Sequence, residues 1–104
     1  HVRGFAGHYE RVSATPFTCS NYNYIIGVSE NGASNIRIHE AAVAGAGTLM
    51  IIKDEVTTRT GGTNLIHLSA SSGDTIDGGT YYELDGTMPA ISLYSDGVDK
   101  WFVF

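Results

Sequence analysis

The sequence predicts an all-β fold, an antiparallel β-sandwich or jelly-roll-like domain of about eight short strands. Two features carry this expectation. Thirteen glycines, with many Thr, Ser, Asn and Asp, cut the chain into short segments. The segments between these breaks are β-branched and aromatic, which is how strands read when turns recur every 8–12 residues. A length of 104 residues allows one domain with one core. With 42% of residues hydrophobic, the chain has enough apolar surface to fold.

In order, strands are expected near Tyr9–Ser13, Tyr24–Val28, Asn35–His39, Thr48–Asp54, Asn64–Ser69, Thr80–Leu84, Ala90–Tyr94 and Lys100–Phe104. Turn signals separate them at Asn31-Gly32, Gly61-Gly62, Ser72-Gly73-Asp74, Asp77-Gly78-Gly79, Asp85-Gly86 and Asp96-Gly97. Alternation supports several strands: Ile36 and Ile38 flank Arg37, Ile66 and Leu68 flank His67, and Ile91 and Leu93 flank Ser92. Two segments break that pattern. Leu49-Met50-Ile51-Ile52 and Trp101-Phe102-Val103-Phe104 are apolar on both faces, so each should be central or covered by another subunit. Glu40 to Ala46 holds four alanines but only suffices for a turn or one helical coil. No internal repeat of 20–50 residues is visible.

The charge balance narrows the partners. Eleven acidic and six basic residues leave a net charge of −5, and Arg3, Arg11, Arg37, Lys53, Arg59 and Lys100 are spread singly. A phosphate backbone or an anionic membrane calls for clustered cations, so nucleic acid and membrane insertion are not expected. Cys19 has no partner cysteine and reads as a small buried apolar side chain. A chain opening on His1 reads as a fragment cut from a longer protein.

Catalytic and metal chemistry find little support in the spacing. His1, His8, His39 and His67 lack a second ligand at zinc spacing, and His39 and His67 read as strand surface or edge residues. Asp74, Asp77, Asp96 and Asp99 lie in glycine-rich turns where calcium ligands can gather, but Asp is also the ordinary turn residue. Glu10, Glu30, Glu40, Glu55 and Glu83 are scattered, and no G-x-S-x-G elbow occurs. No enzyme activity, metal or cofactor is therefore expected. The tyrosines Tyr22, Tyr24, Tyr81, Tyr82 and Tyr94 suit an interface or a sugar-binding surface, and equally the cross-strand positions where Tyr is common.

Several segments then line up in one order. Leu49-Met50-Ile51-Ile52-Lys53-Asp54-Glu55 is followed by Asn64-Leu65-Ile66-His67-Leu68 and by Gly73-Asp74-Thr75-Ile76-Asp77-Gly78. Ile91-Ser92-Leu93-Tyr94-Ser95-Asp96-Gly97 and Lys100-Trp101-Phe102-Val103 complete the set. This order resembles a C-terminal head module of phage tail fibres and of the fibre or spike proteins of other viruses, with its IKDE, GDTIDG, LYSDG and W-x-V segments. The resemblance covers residues 20 to 104, upstream through Tyr24-Ile25-Ile26-Gly27-Val28 and Ile36-Arg37-Ile38. Two departures stand out: His39-Glu40 where the family often has Leu-Pro, and the Thr57 to Gly62 segment, which reads as a mobile, exposed tip.

The resemblance implies a non-enzymatic head domain over 20–104, with 1–19 as a lead-in from a shaft or longer chain. It implies a homotrimer on the virion surface that attaches to a host cell-surface receptor, with a glycan among the candidates. Leu49, Ile51, Asp77, Gly78, Trp101, Val103 and Phe104 are the expected structural or interface residues, and Arg59, Thr60, Asn64, Asn31, Tyr81 and Tyr82 the candidate receptor contacts. A monomeric carbohydrate-binding module of a larger protein, and a purely structural trimerisation or capsid-decoration domain, fit the same residues.

Overall fold

The computed structural model describes residues 8–20, 24–30, 32–57, 65–85 and 88–104. Ten strands and one helical turn follow in order: β1 (Tyr9–Val12), β2 (Phe17–Thr18), β3 (Ile25–Val28), β4 (Ser34–Arg37), α1 (Ala41–Ala44), β5 (Leu49–Asp54), β6 (Ile66–Ser69), β7 (Thr75–Ile76), β8 (Tyr81–Leu84), β9 (Ala90–Ser95) and β10 (Lys100–Val103). All eight expected strands form, shifted by a residue or two at their ends. β2 and β7 are additional, each too short for alternation to register in the sequence.

The strands make two sheets, six-stranded in the order β1-β3-β5-β9-β10-β7 and four-stranded in the order β2-β4-β6-β8. The two-sheet, all-β architecture is as expected, but the sheets are mixed rather than purely antiparallel. From β1 to β6 the chain winds, alternating between the sheets. β1, β3 and β5 are therefore parallel neighbours in one sheet, and β2, β4 and β6 in the other. Then β8 and β9 reverse direction and close the stack antiparallel on β6 and β5. Successive turns of this winding differ in length: Glu10 pairs with Ile26, but Ile26 pairs with Ile52. Such unequal spacing leaves no repeat to see in the sequence.

One apolar core fills the space between the sheets. Val12, Ile26, Val28, Met50, Ile52, Ile91, Leu93 and Trp101 come from one side, and Ile36, Ile66, Leu68 and Leu84 from the other. In β5 the inward residues are Met50 and Ile52, while Leu49 is exposed and Ile51 half-buried on the outer face. Cys19 is buried as expected, and desolvation pushes its thiol up to about 12, which keeps it protonated. Within residues 8–19, β1 and β2 pair into the two sheets, and Val12 and Cys19 join the core.

Candidate functional site

The motif residues fold into turns and straps in which Asp74, Asp77, Ser95 and Asp96 bond main-chain groups. In the GDTIDG segment, Ile76 and Gly79 exchange backbone hydrogen bonds across Asp77-Gly78. Asp77 and Gly78 have φ of +50° and +84°, the two left-handed residues of a tight hairpin turn. The exposed Asp77 carboxylate then accepts the Val103 N–H at 2.9 Å, fastening the turn to β10. Asp74 is buried and accepts the Ala41 N–H at 2.9 Å, supplying from a distant loop the cap that Glu40 does not give α1.

In the LYSDG segment, Asp96 Oδ1 accepts the N–H groups of Val98, Asp99 and Lys100. Three backbone donors on one carboxylate favour its ionised form and hold Asp96 below the ordinary Asp value. Ser95 is buried; its hydroxyl donates to Ala41 O and accepts the Gly97 N–H, both at 2.9 Å. In the IKDE segment, Lys53 donates to Met88 O, the fully buried Asp54 accepts the Val56 N–H, and Glu55 accepts the Tyr9 hydroxyl. That hydroxyl is held above the usual Tyr range, first by its bond to Glu55. Among the described residues, no group of three or more His, Cys, Asp or Glu side chains is placed to hold a metal ion, and no helix is long and apolar enough to cross a membrane.

His39 corrects one expectation. It is buried at 8% exposure, edge-on to Trp101 with ring centroids 5.3 Å apart, rather than lying on a strand surface. Its carbonyl accepts the Trp101 Nε1–H at 3.1 Å, but among the described residues neither imidazole nitrogen has a hydrogen-bond partner. Burial pushes the His39 pKa below the ordinary 6.5, so the ring stays neutral in the fold while the unfolded chain takes up a proton near that value. The stability it permits is present above pH 6.5 and is lost as pH falls through 6.5 toward the folded-state value. Thermal unfolding should therefore occur at lower temperature at pH 5 than at pH 7.5. His39→Leu should flatten that slope and leave the pH 7.5 melting temperature unchanged or higher, because it removes two unbonded polar atoms from the core. An equal slope in the variant would rule His39 out as the cause.

The outer faces of the sheets differ sharply. On the six-stranded sheet, Leu49, Tyr94 and Phe102 form one outward row, and Ile25, Ile51 and Ser92 the next. Tyr94 packs between Phe102 and Phe104, with ring centroids 5.4 and 5.7 Å away. Leu49 is 41% exposed, Tyr94 39% and Phe104 67%. Phe104, from the segment expected to be central or covered by another subunit, lies uncovered within this chain, whereas Trp101 is fully buried and Val103 packs against the core.

On the four-stranded sheet the outward rows are polar and aromatic: Asn35, His67 and Glu83, then Thr18, Arg37, Ser69 and Tyr81. Of the candidate receptor contacts, Tyr81 lies on this face at 55% exposure, while Tyr82 turns inward against the core. Asn31, Arg59, Thr60 and Asn64 lie outside the described residues. His67, Glu83 and Arg37 do not stand out as contacts in the sequence, since only strand register brings them onto the same face as Tyr81. Compared with protein families, curated proteins and solved structures, the chain matches none of them.

Proposed function

We propose that this chain is a non-enzymatic head domain of a viral fibre or spike, homotrimeric on the virion surface, that attaches to a receptor on the host cell. The observation that carries the reading is the outer face of the six-stranded sheet. Ile25, Leu49, Ile51, Tyr94, Phe102 and Phe104 make it mostly apolar, with Ser92 set among them. Monomeric soluble proteins rarely expose apolar patches beyond a few hundred Å². Lys53 and Lys100 stand at its margins, in the register of an apolar centre with a charged rim. A second and third copy of the same chain would cover it with matching surfaces. The non-enzymatic part of the reading is supported by the Asp74, Asp77 and Asp96 carboxylates and the Ser71 and Ser95 hydroxyls, each engaged with backbone groups.

Sedimentation at micromolar concentration tests the assembly. The native chain should run as a trimer. Ile51→Glu and Phe102→Glu each place a charge in the contact without touching the core, and should raise the dissociation constant about a hundredfold or more. Their far-ultraviolet dichroism should keep its strand signal. A native chain that sediments as a stable monomer would remove the trimeric reading.

A further inference from the structure

We infer that the outer face of the four-stranded sheet is a binding platform for an uncharged pyranose, the ring of a neutral glycan. The inference rests on the attachment reading above and assigns its ligand class and its surface. Tyr81 is the platform. Its ring stacks on His67 with centroids 5.0 Å apart and planes 17° from parallel, which fixes its orientation before any ligand arrives. Pre-ordering an exposed aromatic lowers the entropy lost on binding. His67 covers one face of the Tyr81 ring, and the residue is still 55% exposed, which leaves ring surface for the apolar C–H face of a sugar.

Polar groups surround that ring at fixed strand spacings. Glu83 sits opposite His67, its Oε2 3.6 Å from the imidazole Nδ1, and Asn35 continues the row. Arg37 lies two strands from Tyr81 in the same row, at about 10 Å given the inter-strand spacing, a distance that one further sugar residue spans. Among the described residues the Arg37 and Asn35 side chains are exposed and make no hydrogen bond or ion pair, so their donors are free for hydroxyl groups. Glu83 and the Asn35 amide oxygen supply acceptors. Charge selects the ligand: Arg37 and Glu83 cancel, His67 contributes only when protonated, and the molecule as a whole carries −5. A face without net charge on an acidic protein suits a neutral saccharide and disfavours sulfated or sialylated ones.

The test is a printed array of neutral β-galactosides, β-glucosides and α-mannosides beside sialylated glycans and heparin oligosaccharides, with saturation-transfer NMR on the strongest neutral hit. The native chain should bind a neutral glycan and saturate ring protons on one face of the pyranose. Tyr81→Ala should weaken it about tenfold or more, Tyr81→Phe should retain it, and Glu83→Gln and Arg37→Ala should each weaken it severalfold. All three positions are exposed, and unchanged melting would confirm that the fold is intact. Ile51→Glu, on the opposite sheet, should keep the affinity of the single site in solution. Absence of neutral-glycan binding, binding confined to the charged glycans, or equal affinity in Tyr81→Ala would overturn the inference. A trimer that binds no neutral glycan defeats this inference alone, whereas a glycan-binding monomer defeats the trimeric reading and leaves this platform standing.

Discussion

Trp101→Ala should unfold the domain or bring it close to unfolding, at a cost of roughly 3–5 kcal/mol. The total margin of a domain of this kind is about 5–15 kcal/mol. Trp101 has no solvent exposure and is the largest side chain of the core. It also ties three parts of the molecule together. Its Nε1–H bonds His39 O, its ring meets the His39 imidazole edge-on, and its carbonyl accepts the Asp77 N–H at 2.9 Å. Truncation to Ala keeps the backbone bond but empties the cavity and leaves the His39 carbonyl unbonded. Trp101→Phe, which fills much of that volume, should lose distinctly less. Urea unfolding monitored by dichroism gives both values. A loss below about 1 kcal/mol for the Ala variant would contradict the central placement of this ring.

Gly97→Ala should cost about 2–4 kcal/mol, far more than a surface turn substitution usually does. Gly97 has φ of +82°, which an L side chain adopts only with strain. A Cβ there would also stand 2.6 Å from Ala46 N and 3.0 Å from Ala46 Cα. Those are backbone atoms held by the Gly47 N–H to Ser95 O and Ser95 N–H to Thr48 O bonds, so they cannot turn aside as a side chain could. Gly73 provides the comparison: φ is +87° and, among the described residues, nothing lies within 4 Å of its added Cβ. Gly73→Ala should therefore pay only the conformational part, about 1–2 kcal/mol. Equal losses at the two glycines in the same denaturation series would show that the close approach at Ala46 is not rigid.

Much of this architecture was legible in the residues, and the failures have identifiable causes. Strands such as Ile66–Ser69 and Ala90–Ser95 could be located because inward and outward residues alternate between turns rich in Gly and Asp. Parallel pairing could not, because Ile25–Val28 reads the same whether its neighbour runs with it or against it. Thr75–Ile76 was hidden inside a segment that reads as a turn, and it is both: a two-residue strand entering a tight hairpin. In Leu49-Met50-Ile51-Ile52, the sequence shows two apolar faces but has no means of saying which one turns inward. Packing against Leu93 and Ile91 selects Met50 and Ile52. The same applies to Tyr81 and Tyr82: adjacent residues of one type, separated only by the pleat. His39 was misplaced because its environment is set by Trp101, 62 positions along the chain.

β10 does not run along a border of its sheet; it is inserted between β9 and β7. As the chain is synthesised from its N-terminus, everything up to Ser95 emerges while that slot is still vacant and the space for the indole is unfilled. Until Lys100–Val103 arrives, β9 and β7 each present an unsatisfied row of amides and carbonyls, with greasy residues beside them. Such a half-built sheet is a template for the wrong strand. Completion of this sheet thus waits on Lys100–Val103, and the segment that fills the slot is also the one that lays Phe102 on the outward apolar surface.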